Sequence, residues 1–162
     1  HRYFDLDYPI DAAVPAAPLS PADEQEYVEE FARLFEESVR LRLFSEFPVV
    51  CHLSGGLDSA SVLAMAAKNT TKPVHCFTVT FDQEGYDELA IASAMAQKAG
   101  GTLHQVPVTA LDIIEHLSDA CYFSEGLAVN GHLSAKHMLN KAIHNEGFRV
   151  SLTGEGSDEV LA

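Results

Sequence analysis

Positive charge is scarce in this chain: 10 lysines and arginines stand against 24 aspartates and glutamates in 162 residues, a formal net charge of −14. A nucleic-acid surface needs a basic face that tracks phosphates, so this balance argues against nucleic acid as a partner. Cysteine is sparse as well. Cys51, Cys76 and Cys121 form no C-x-x-C; the two in predicted strands, Cys51 and Cys76, read as core residues, and the odd count points to a reducing, cytoplasmic setting. The histidines make no H-E-x-x-H, and His132 and His137 miss the i, i+4 spacing that stacks two rings on one helix face, so no zinc site is expected. No apolar run reaches the ~20 residues of a membrane span, and no signal-peptide pattern opens the chain. Internal repeats and low-complexity tracts are absent too. The G-x-x-x-x-G-K-[ST] loop is missing, no lysine lies between residues 43 and 67, and G-x-G-x-x-G does not fit.

What is present is Ser54-Gly55-Gly56-Leu57-Asp58-Ser59, between the apolar run Val49 to Leu53 and the helix-forming run Ala60 to Ala67. Strand, glycine turn and helix follow in that order. Two glycines let the backbone approach a ligand closely. Free N–H groups at the helix start, with the hydroxyls of Ser54 and Ser59, make a seat for an anion, most often phosphate. Asp58 is out of place in such a seat, because a carboxylate repels phosphate unless a cation such as Mg²⁺ lies between them. The alternative is a plain strand-to-helix turn capped by Asp58 and Ser59.

The stretch SGGLDS resembles the PP-loop of the N-type ATP pyrophosphatases, which cleave ATP between the α and β phosphates. A second stretch, Leu152-Thr153-Gly154-Glu155-Gly156-Ser157-Asp158-Glu159, resembles the signature of the synthetase domain of glutamine-hydrolysing asparagine synthetases. The resemblance implies an α/β fold, a three-layer α/β/α arrangement with a parallel sheet of the adenine-nucleotide α-hydrolase-like type.

Along the chain, residues 1 to 19 carry Pro9, Pro15 and Pro18 with Asp5, Asp7 and Asp11 and are expected to be a linker or N-terminal arm. Tyr3-Phe4-Asp5-Leu6 resembles the connector between the family's two domains. Residues 20 to 162 are expected to form the ATP-binding domain. Ser20 and Asp23 mark a helix start with Pro21 at its first position, and apolar residues from Tyr27 to Leu43 recur on one face. Strands are predicted over 49–53, 74–80, 102–106 and 149–152. Helices are predicted over 59–68, 87–99, 109–120 and 133–144, with Tyr122 to Gly131 irregular. Such alternation gives a parallel sheet covered on both faces.

Ligands of such sheets bind at the carboxyl ends of the strands, where the strand order reverses. If the first three strands wind one way, the fourth returns to the other side of the first. The loops after strands one and four then face each other, bringing Asp58 near Asp158. Two carboxylates at a phosphate site suggest a shared Mg²⁺; alternatively Asp158 and Glu159 simply stabilise a helix N-terminus.

The resemblance assigns roles residue by residue. Ser54, Gly55, Gly56 and Ser59 match the pyrophosphate cradle. Leu53 and Val79 match positions whose backbone meets the adenosine of ATP, with Thr153 and Gly154 as further contacts. Asp58 and Asp158 match the Mg²⁺ carboxylates, and Glu155 matches the acid that handles the ammonia proton. The implied activity is ATP-dependent amide ligation: adenylation of a carboxylate, aspartate in the family, then attack by ammonia from a glutaminase domain. A specialised amide ligase of the β-lactam synthetase or lasso-peptide cyclase type, or a non-catalytic nucleotide-binding module, is the alternative. The resemblance is also compatible with a homodimer. The family's glutaminase nucleophile is an N-terminal cysteine where this chain has His1, and its catalytic lysine falls in a C-terminal half beyond Ala162. The chain is therefore expected to be a middle portion of a larger protein, inactive alone.

Overall fold

The computed structural model describes residues 20–82, 88–127 and 130–161. The expected linker over residues 1 to 19, and Gly85 with Asp87, lie outside them. The chain divides into two compact units, one through Phe35 and one from Glu36.

In the first unit, Ser20 Oγ accepts from the Asp23 N–H at 3.2 Å and Asp23 Oδ2 accepts from the Ser20 N–H at 3.3 Å. This reciprocal cap starts α1 (Pro21–Arg42) as its residue types predict. Phe31 and Phe35, one turn apart, stack with centroids 5.9 Å apart.

In the second unit, the end of α1 buries Val39, and Glu36 accepts from Lys68 and Asn69. The following elements are β1 (Val49–His52), α2 (Leu57–Lys68), β2 (His75–Phe81), α3 (Leu89–Lys98) and β3 (Thr102–Val108). Then come α4 (Ala110–Glu115), α5 (Leu117–Ser124), α6 (His132–Asn145), β4 (Val150–Leu152) and α7 (Ser157–Leu161). The four strands pair in parallel in the order β3-β2-β1-β4. This is the expected three-layer α/β/α fold, with strands one and four side by side.

The order explains the layers. Right-handed crossovers through α2 and α3 carry the chain outward along one face of the sheet. The step from β3 back past β1 reverses direction, so the same handedness puts α4 to α6 on the opposite face. Strand alternation divides the core accordingly. Val50 and Phe77 pack with Leu139 and Ile143 of α6. Cys76 faces the other way, its Sγ beside Gly101 at the α3–β3 turn. On the α6 face His104 stacks on Phe77 and joins His75 to Glu146, at 2.8 and 2.9 Å.

Three elements depart from the sequence reading. β3 continues through Pro107 to Val108, because among the described residues it is an edge strand and needs no N–H on its outer side. The helix expected over 109–120 starts on a full capping box between Thr109 and Asp112 but breaks at His116. α5 then extends to Ser124, into residues expected to be irregular.

Candidate active site

β1 delivers the first loop. The Leu53 N–H still donates to Phe77 O at 2.9 Å, and then the chain leaves the sheet. Gly55 turns it with φ +85°, a conformation that a side chain would strain. Two hydroxyls brace the turn from inside: Ser59 Oγ accepts from the Ser54 N–H at 3.2 Å and lies 3.1 Å from both Ser54 Oγ and Gly56 O. Ser59 is buried, so it shapes the cradle from beneath. Gly56 caps α2 with no side-chain acceptor, leaving the first-turn N–H groups of a three-turn helix without a side-chain partner at the cap. It is at this helix start that the sequence reading expects an anion seat.

β4 delivers the second loop, because Cys51 of β1 pairs with Leu152 of β4. Thr153 Oγ1 accepts from the Glu155 N–H at 2.9 Å, and Ser157 Oγ donates to Gly154 O at 2.8 Å. The two loops touch directly. A Cβ on Gly154 would lie 2.7 Å from Asp58 Cβ and 2.9 Å from the Ser59 nitrogen. Glycine is required there for space.

The loops and α6 enclose a cavity of about 710 Å³, within the range of small-molecule sites. Leu53, Ser54, Asp58, Ser59, Val79, Thr153, Gly154, Glu155 and Asp158 all line it. Gly55 and Gly56 belong to the turn and not to the cavity wall. Asp58 and Asp158 thus border one space, with oxygen donors suited to Mg²⁺. Among the described residues no group of three or more His, Cys, Asp or Glu forms a metal cage. A Mg²⁺ that takes one or two carboxylates and completes its shell with phosphate and water fits this donor set.

Among the residues lining the cavity that sequence reasoning did not single out are Lys136, Glu88 and His52. Lys136 of α6 forms an ion pair with Glu155. Glu88 lies against Gly55, 3.2 Å from the position a Cβ would take there. His52 ends β1 with Nε2 buried and without a hydrogen-bond partner among the described residues. Burial, and then the Lys136 charge, hold its pKa below the ordinary value, while Glu155 and a hydrogen bond to Asn140 act the other way. His52 had a visible signal, a titratable residue inside an apolar run. Lys136 had none, since its partner is distant in sequence.

The asparagine synthase family model matches residues 30–162. The chain belongs to the asparagine synthase family. Among curated members and relatives, it is 33% identical to amidase chyE of Penicillium rubens, over 99% of this chain and 25% of that protein. It is 34% identical to amidase chry2 of Gibberella zeae, over 98% and 25%. It is 30% identical to asparagine synthetase (glutamine-hydrolysing) 2 of Lotus japonicus, over 93% and 26%. The chain spans about a quarter of the length of these relatives. A solved structure of glutamine-dependent NAD⁺ synthetase from Acinetobacter baumannii, in complex with ADP, shares the fold. Its TM-score is 0.62 at 21% identity, covering 91% of this chain and 28% of that one. The family thus rests on the sequence match, and the structural likeness shows the fold.

Proposed function

We propose that residues 20–162 act as the ATP-binding domain of an amide ligase that adenylates a carboxylate. The observation that carries this reading is the contact between the two loops, where Gly154 abuts Asp58 and Ser59 beside an uncapped helix N-terminus. It accounts for both glycine motifs at once, whereas a capped structural turn accounts for neither the second loop nor the shared cavity. An ADP complex of the structural relative and the family match over residues 30–162 support a nucleotide as the ligand.

In this reading the α2 N–H groups and Ser54 hold the pyrophosphate portion of ATP. Leu53, Val79, Thr153 and Gly154 line the nucleotide's remaining length. Asp58 and Asp158 would hold Mg²⁺, which supplies charge neutralisation at the phosphates. A substrate carboxylate oxygen attacks the α-phosphorus, the bond to the β-phosphate bridge breaks, and pyrophosphate leaves. An amine then attacks the acyl carbon, AMP departs, and Glu155 accepts the amine proton. Free carboxylates do not acylate amines at useful rates, so the domain's contribution is positioning and charge compensation. A reducing, cytoplasmic setting suits three free thiols, and no described helix is long and apolar enough to cross a membrane.

Aspartate with ammonia is the first reading of the substrates. A specialised ligase with another carboxylate is the second, supported by higher identity to the two fungal amidases than to the plant asparagine synthetase. Pyrophosphate release by the complete polypeptide tests the reaction. Asp58→Ala should abolish it and weaken Mg²⁺-ATP binding while the fold persists, since a helix-start residue is worth only about 1 kcal/mol. Equal Mg²⁺-ATP affinity in variant and wild type would reject the metal role.

A further inference from the structure

The cavity wall carries five carboxylates, Asp58, Glu88, Glu155, Asp158 and Glu159, and a single lysine or arginine, Lys136. His52 adds no charge at neutral pH, because burial and the neighbouring ammonium both favour its neutral form. Any polyphosphate entering this space therefore meets one permanent cation among the described residues. That cation projects from α6 and is held by Glu155. Glu155 follows Gly154, which touches Asp58 and the Ser59 nitrogen at the start of α2. The ammonium is thus tethered one residue from the point where the two loops meet.

The tether is weak. The Lys136 and Glu155 side chains keep 36% and 66% of their exposure, and ion pairs this wet contribute little. A multiply charged phosphate is a stronger acceptor than one solvated carboxylate. Lysine, a point charge on a flexible stem, can exchange one for the other without moving α6.

We propose that Lys136 is a phosphate ligand of the nucleotide, and that its exchange from Glu155 to a phosphate oxygen releases the Glu155 carboxylate for the amine proton. The inference rests on the nucleotide-binding reading above and adds the residue that couples ATP binding to readiness of the base. A carboxylate that accepts from an ammonium has a lone pair committed; once the ammonium turns to phosphate, that lone pair is available.

The test is calorimetric titration of the complete polypeptide with Mg²⁺-ATP and with adenosine. Lys136→Met should weaken Mg²⁺-ATP about tenfold or more, the loss of a charge-assisted hydrogen bond, and leave adenosine unchanged. Glu155→Gln should tighten Mg²⁺-ATP by about two- to fivefold, the value of releasing a solvated pair. In the Lys136→Met background most of that gain should vanish. Lys136→Arg should restore part of the affinity. Unchanged Mg²⁺-ATP affinity in Lys136→Met overturns the proposal. So does an equal loss of adenosine affinity, which would make Lys136 a structural residue of the pocket. An undiminished Glu155→Gln gain without Lys136 overturns it too, by reducing the effect to simple repulsion. If the wild type binds Mg²⁺-ATP but forms no amide, the reaction assignment and the Glu155 role fall together while Lys136 stands as a phosphate ligand; no Mg²⁺-ATP binding at all refutes both.

Discussion

Replacing Gly154 by alanine separates the geometry of the site from the stability of the fold. The added Cβ would lie 2.7 Å from Asp58 Cβ, 2.8 Å from the Asp58 carbonyl carbon and 2.9 Å from the Ser59 nitrogen. Carbon atoms pack at about 3.5–4.0 Å, so the overlap approaches about 1 Å. Two of the three atoms struck are backbone, and no rotamer relieves them. The loop after β4 must therefore move by about 1 Å from the start of α2. Overpacking of this kind costs about 1–3 kcal/mol, a fall in melting temperature of roughly 2–12 °C for a domain of this size. The functional loss should be larger in proportion, since a 1 Å misplacement of reacting groups costs about a hundredfold. Circular-dichroism melting and pyrophosphate release, both on the complete polypeptide, read the two effects separately. Gly56→Ala is the control: its φ is −76°, and its Cβ would meet only Ser54 Oγ at 3.4 Å. Melting there should change by no more than about 1 kcal/mol in equivalent stability. Gly154→Ala with wild-type melting and undiminished pyrophosphate release would refute the claim that the loops are in contact.

Other outcomes follow from local chemistry. Burial pushes the thiols of Cys51 and Cys76 up to about 12 and about 11, so a thiol reagent at mild alkaline pH should label only Cys121 in the folded protein and all three after denaturation. The His52 pKa is depressed on folding, chiefly by burial. The unfolded chain then takes up the proton first, and stability is lost as pH falls from the ordinary value of 6.5 towards the folded-state value. His52→Leu should flatten that part of the melting-temperature profile, and an identical profile would show that His52 titrates freely. Thr109→Ala removes one half of a capping box whose other half is Asp112, and should lower the melting temperature by about 2–4 °C.

The layer arrangement was legible because strand and helix periods alternate cleanly, and the rule for right-handed crossovers leaves few ways to wind them. The adjacency of β1 and β4 was legible for the same reason. What the residues did not reveal were breaks without breakers. Nothing in Ile114-Glu115-His116-Leu117 announces the end of α4, since neither glycine nor proline stands there. Pro107 misled in the opposite sense: it stops a central strand, but an edge strand accepts it. Of the cavity, the loop residues could be read from local spacing. Lys136 could not, because its meaning lies in an ion pair with Glu155 that only the packing of α6 beside β4 creates.

Pro107 also gives the sheet a direction of growth. It stands opposite Thr80 in the outermost ladder on the β3 side, and a proline offers no N–H to a newcomer strand. The β4 side carries no proline within Val150–Leu152. Strands added in evolution, or by another polypeptide, would join more readily past β4. That is the side from which Thr153 to Glu159 reach over the cavity, so each added element would raise a wall beside the site. Enlargement of this architecture and elaboration of its cavity are then one process: new chain at this border changes what the cavity can hold while the loop after β1 stays as it is.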